Sequence, residues 1–191
     1  MIKTIRSRIG DDALILCNAN DRKTPETAPF INGYFMECTR SRTPSDWGRI
    51  AESLTWAEKN LREPRINCVE TWYHASREDL HLMRCLTTLS LTLSDGYCLF
   101  SDPNPLPNPD HLHNWYGFWD TDLGKPLSPG EKQADGSTIR EFSKGAVVYN
   151  PMGNHTISVS FDKRRTSAAT GNCSNEHLVQ PGDGDILLYE Q

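Results

Sequence analysis

Four short apolar runs constrain this chain most: Ala13–Cys17, Ile31–Cys38, Ile66–Glu70 and Tyr97–Phe100. None is joined to the next by a hairpin signal. The stretches between them read as helices or long polar loops. Trp47, Ile50, Leu54, Ala57 and Leu61 fall on one helical face, which predicts a helix over Asp46–Arg62, capped by Ser45 or Asp46 and ended by Pro64. Leu80, Met83, Leu86 and Leu89 or Ser90 predict a second helix over Arg77–Leu93, capped by Ser76 and broken at Gly96. Ile2, Ile5 and Ile9 predict a short helix before the first run, stopped by Gly10. Strands separated in this way must run parallel, so the chain reads as α/β. The first run, apolar throughout, reads as a strand buried on both faces.

The pattern changes further on. Ser101–Pro109 holds four prolines and excludes regular structure. Asp110–Asp120 is rich in aromatic residues. From Thr138 the signals are short strands, Ile139–Phe142, Gly145–Tyr149, Thr156–Phe161 and Asp185–Tyr189, with turn residues at Asn150–Asn154 and Pro181–Gly184. The expected organisation is an α/β part over 1–130 and a small antiparallel β unit over 131–191.

Net charge is -5, and the one short basic cluster, Lys163–Arg165, reads as a turn. A nucleic-acid or membrane-surface role has no electrostatic support. No apolar run approaches the roughly 20 residues that span a bilayer. Six cysteines are scattered without a C-x-x-C pair, so they read as reduced, small core residues rather than zinc ligands. Met1–Gly10 has basic residues but no apolar segment, so it is not read as a secretory signal. Met1 is not expected to be the natural start, and the compartment is left open. Serine-hydrolase, P-loop and dinucleotide signatures are missing, and no cofactor is expected.

The chemistry-bearing candidates begin with Glu37 and Glu70, which close the second and third runs. The C-terminal ends of parallel strands are where α/β sheets build active sites. Two carboxylates there point to acid/base work, with glycoside hydrolysis as the leading reaction. The plain alternative is a pair of solvated strand-end residues, or partners for Arg40 and Arg42. Tyr34, Phe35 and Met36 give Glu37 an apolar neighbourhood that suits a proton donor. Trp72 and Tyr73 follow Glu70 and could stack on a sugar ring or bury the helix tops. Asp102, at the C-terminal end of the fourth run, is a candidate for substrate contact or a turn starter before Pro103, whereas Asp95 reads as a turn. Asp110, His111 and His113 form a D-H-x-H cluster, but no third metal ligand stands out. A metal is not expected, and the histidines read as binders of sugar hydroxyls or loop backbone. Trp115, Tyr116 and Trp119 read as a sugar platform or as a lock on that loop. Gly182–Asp185 reads as a tight turn rather than a calcium loop.

Four stretches carry a family resemblance. Asn32-Gly-Tyr-Phe-Met-Glu37 resembles a barrel strand ending in a catalytic-type glutamate. Ser94-Asp-Gly-Tyr97 through Phe100-Ser-Asp102 resembles a final barrel strand. Trp115–Asp120 with Asp122–Pro126 resembles a post-barrel loop, and Arg140–Pro151 a β tail. In this order they are similar to the glycoside-hydrolase-like TIM-barrel proteins, relatives in architecture of the endo-α-1,4-polygalactosaminidases. A full barrel needs eight strands and about 250 residues. The resemblance therefore implies a partial (β/α) barrel, roughly strands five to eight plus the tail. The second acid, often an aspartate on about the fourth strand, would precede Met1, which leaves Glu37 as the acid/base and Glu70 in support. The implied substrate is a polysaccharide or oligosaccharide, cleaved once the other barrel half is supplied. The alternative is a non-catalytic carbohydrate-binding or interaction module. A half-barrel would also expose sheet edges through which copies could self-associate.

Overall fold

In the computed structural model, which describes residues 1–103 and 112–190, the apolar runs build a parallel sheet. An N-terminal helix, α1 (Ile2–Ile9), precedes β1 (Leu16–Asn18) and β2 (Gly33–Glu37). Helix α2 (Pro44–Asn60) leads to β3 (Cys68–Trp72), and α3 (Leu80–Leu93) leads to β4 (Tyr97–Asp102). The four strands lie in chain order and pair parallel throughout. A two-residue strand, β5 (Leu112–His113), pairs antiparallel with the end of β4.

Alternation along the strands separates two faces. Tyr34, Met36, Val69, Tyr73 and Phe100 are buried in one cluster with Trp47, Ile50, Leu54, Leu86 and Leu89 of α2 and α3. Both crossover helices therefore cover the same face. On the other face Phe35, Glu37, Trp72 and Leu99 are half-buried, while Leu16 is 44% and Tyr97 60% exposed.

The helices begin where their caps allow. Thr43, not Ser45 or Asp46, caps α2: its side chain accepts from the Asp46 amide (3.2 Å), and the Asp46 carboxylate accepts from the Thr43 amide (2.9 Å). This capping box, with Pro44 at the first helical position, starts the helix earlier than the apolar face suggests. Helix α3 starts at Leu80 rather than Arg77, because Asp79 accepts from the Leu82 amide. Ser76 is buried and bonded elsewhere. β1 also differs from expectation. It is shorter, shifted to Leu16–Asn18, and its pattern is exposed–intermediate–exposed, since it pairs on one side only.

A second sheet covers the far side of α3. It comprises β6 (Glu131–Lys132), β7 (Thr138–Phe142), β8 (Gly145–Asn150), β9 (Ile157–Ser167), β10 (Cys173–Val179) and β11 (Asp183–Tyr189), all antiparallel, in the order β10-β9-β11-β8-β7-β6. Phe142, Val147, Tyr149 and Ile186 join the same core as the first sheet, so the main core draws residues from both sides of the expected 130/131 boundary. On the opposite face Val148, Ile157, Val159, Val179 and Leu187 form a smaller core. Gly184 lets β11 lie against α3: a Cβ there would stand 1.9 Å from Thr88 Oγ1. Arg84 of α3 grips Asp183 through two bonds (2.9 and 2.7 Å), and Arg140 of β7 donates to Leu91 O, Ser94 O and Asp95.

With a sheet on each side, α3 buries Thr87, Thr88, Ser90 and Thr92 as well as its apolar residues. The threonine hydroxyls donate to carbonyls one turn back, Thr87 to Met83, Thr88 to Arg84 and Thr92 to Thr88. These bonds satisfy buried polar groups within the helix itself.

Two turns expected from sequence are strands instead. Lys163–Arg165 lies within β9, where the Arg165 guanidinium sits 3.7 Å from the Phe161 ring and pairs with Glu141. Asp183 and Asp185 lie within β11, and only Pro181–Gly182 turns, with Gly182 at φ +69°.

Candidate active site

Glu37 and Glu70 are direct partners in the β2–β3 ladder. In-register neighbours on parallel strands project from the same face, about 4.8 Å apart along the hydrogen-bonding direction. The same face carries Trp72 and its ladder partner Ser101, and Ser101 is in turn opposite His113 of β5. Strand ends thus bring Glu37, Glu70, Trp72, Ser101 and His113 onto one patch.

The two carboxylates sit in different surroundings. Glu70 is 0% exposed. Its Oε1 accepts from Ser101 Oγ (3.0 Å) and lies 3.0 Å from His113 Nε2. Its Oε2 is buried without a hydrogen-bond partner among the described residues. The His113 side chain is 48% exposed, so the imidazole links the buried carboxylate to the surface. Glu37 is half-buried, and its carboxylate makes no hydrogen bond or ion pair within the described residues. The patch therefore combines an accessible carboxylate, a fixed buried one and an imidazole bonded to the latter. Such a set can donate a proton at one point and hold negative charge beside it. Cys68 shares the Glu70 face, and burial pushes its thiol up to about 12, which disfavours the thiolate.

No protein-family model matches the chain, and no curated protein matches it. The site is therefore read from its own geometry.

Of the remaining candidates, Trp72 lies on the glutamate face, half-buried, and its carbonyl accepts from Arg42. Tyr73, the next residue, points the other way. It is buried, stacks on Phe100 (5.5 Å), lies under the Arg42 guanidinium (4.0 Å) and donates to Ser41 O. Burial raises its pKa, and it serves the core rather than the patch. Asp102 is likewise on the helix side by alternation, and its Oδ1 accepts from the Ser76 amide (2.8 Å). It fixes the loop before α3 instead of facing the glutamates. Trp119 is half-buried beside α3, against Tyr116 (4.9 Å), with Nε1 donating to Thr87 Oγ1 (2.8 Å). It locks the post-strand loop. Trp115 is 73% exposed and meets Trp119 edge-on at 5.6 Å, which leaves a ring face open to solvent. His111 and Asp110 lie outside the described residues. Among the described residues no three His, Cys, Asp or Glu side chains converge as a metal would require.

Sequence reasoning missed Ser101 and the bonds that place His113. Asn114 donates to Ser76 Oγ (2.7 Å) and accepts from Arg77 Nε (2.5 Å), while the Tyr116 hydroxyl donates to Phe100 O (3.2 Å). These tie β5 to the loop before α3 and so fix the imidazole over Glu70. Alternation was the available signal for Ser101: it is the position after Leu99 on the same face of the fourth run.

Proposed function

We propose that this chain carries the strand-end site of a glycosidase-like (β/α) barrel half, acting on a polysaccharide or oligosaccharide. The observation that carries the reading is the direct register of Glu37 and Glu70 at the C-terminal ends of adjacent parallel strands. The sheet's winding supports it: sequential strands with helices on one face only are how a (β/α) barrel is wound. The opposite face, where Leu16 and Tyr97 are exposed, then corresponds to a barrel interior, and self-association would cover it.

In this reading Glu37, in its protonated form, gives its proton to the glycosidic oxygen as the bond to the anomeric carbon breaks; water then bonds to that carbon and returns a proton to the Glu37 carboxylate. Glu70, held by Ser101 and His113, supplies fixed negative charge to the developing oxocarbenium ion. Trp72 and the open face of Trp115 would receive sugar rings.

The test is release of new reducing ends from a panel of polysaccharides by the purified chain. Glu37→Gln should lower that rate by about 10²-fold or more, in line with the contribution of a general acid, while sugar binding persists. A second reading rests on the complete burial of Glu70 and the exposure of Trp115: a carbohydrate-binding surface without turnover. Binding without product, lost in Trp115→Ala, would select it over the enzyme.

A further inference from the structure

On the helix side of the molecule, α2 and the second sheet leave a groove of about 650 Å³. That volume falls within the roughly 300–1,000 Å³ of small-molecule sites. The groove is set apart from the strand-end carboxylates by the sheet and helix layers and takes no part in the site proposed above.

Its shape follows α2. The lining starts at Pro44, the first residue of the helix, and reaches Asn60, the last. At 1.5 Å per residue this is roughly 24 Å of length. Such a trough suits an extended chain better than a compact ring system. Its walls are mostly apolar: Ala51 and Trp56 on α2, Leu93 at the end of α3, and Met152 after β8. Trp56 is held flat against Tyr34, with ring planes 9° apart, so it forms a fixed part of the wall.

The charges on the rim have a sign. Lys23, Lys59 and Lys132 face a single acid, Glu52, in a chain whose net charge is -5. Lys23 is paired with Glu52 at 3.3 Å. Lys59 and Lys132 are exposed, and neither has an ion-pair partner among the described residues. An apolar trough with two unneutralised ammonium groups on its rim complements a ligand with an apolar tail and an anionic head.

We propose that this groove binds a single-chain anionic amphiphile of the fatty-acid type, with its tail along α2 and its carboxylate at the lysine rim. The experiment is calorimetric titration of the full chain with dodecanoate below its micelle concentration. Dodecyltrimethylammonium serves as a tail of opposite charge, and butyrate as a head without a tail. Saturable binding of dodecanoate is expected, at least tenfold tighter than either control. The Lys59→Glu/Lys132→Glu double variant, altered only on exposed positions, should weaken it at least tenfold. Ala51→Trp, which fills the trough, should remove it. Comparable binding of the trimethylammonium compound, no saturable dodecanoate binding, or indifference to both variants would overturn the proposal. The lysine variant keeps the test decisive even where the tryptophan variant fails to fold.

Discussion

At Asp185 opposing effects act on one carboxyl group. It accepts from Ser167 Oγ, the Ala169 amide and the Ile186 amide, which favours the charged form, yet burial outweighs them and raises its pKa above the ordinary 3.8. An acid raised on folding holds its proton longer in the native than in the unfolded chain. Above pH 3.8 the native state therefore binds more protons, and Asp185 withdraws stability as pH rises until its folded pKa is passed. Urea midpoints at stepped pH should show Asp185→Asn gaining on the native protein as pH rises above 3.8. The same rule, that surroundings outweigh residue type, decides what was readable in the candidate site. Glu37 and Glu70 were legible because each ends an apolar run. Trp72 and Tyr73 looked equivalent in sequence, but neighbours on a strand face opposite ways, so only Trp72 joins the glutamates. Asp102 lies on the helix side for the same reason. For Ser101 alternation gives the face, the one shared with Leu99, but nothing in the sequence shows that its hydroxyl serves the buried carboxylate.

The elements were legible where one face is apolar and the other is not. Helices α2 and α3 announce themselves by period and strands β2 to β4 as apolar runs, and the helix starts move to the caps at Thr43 and Asp79. β10 was invisible because Cys173–Val179 is mostly polar and partly exposed, buried chiefly at His177 and Val179. β6, two exposed charged residues, gave no signal at all. Close approach between elements leaves a trace only in glycine. Gly184→Ala is expected to cost about 1–3 kcal/mol, the range for overpacking, because the new methyl would meet both Thr88 Oγ1 (1.9 Å) and Thr88 Cβ (2.5 Å). Guanidinium denaturation with the slope held in common would measure it.

Across the whole molecule, α3 is the shared layer. Its Leu86 and Leu89 pack in one core with Phe142, Val147, Tyr149 and Ile186, so removing the second sheet would bare one side of a helix already buried on the other. A fragment of residues 1–130 is expected to bind a hydrophobic dye and to lose its near-ultraviolet circular dichroism, whereas the full chain should bind little dye and keep that circular dichroism. A fragment with a sharp melting transition of its own would count against this. The place of β11 adds a condition on timing. Asp183–Tyr189 is inserted between β8 and β9, both of which precede it in the chain. During synthesis those two strands emerge with no common partner, and α3 waits without the strand that carries Gly184 and Ile186. The sheet that joins β8 to β9 therefore cannot be complete until residues 183–189 have been made.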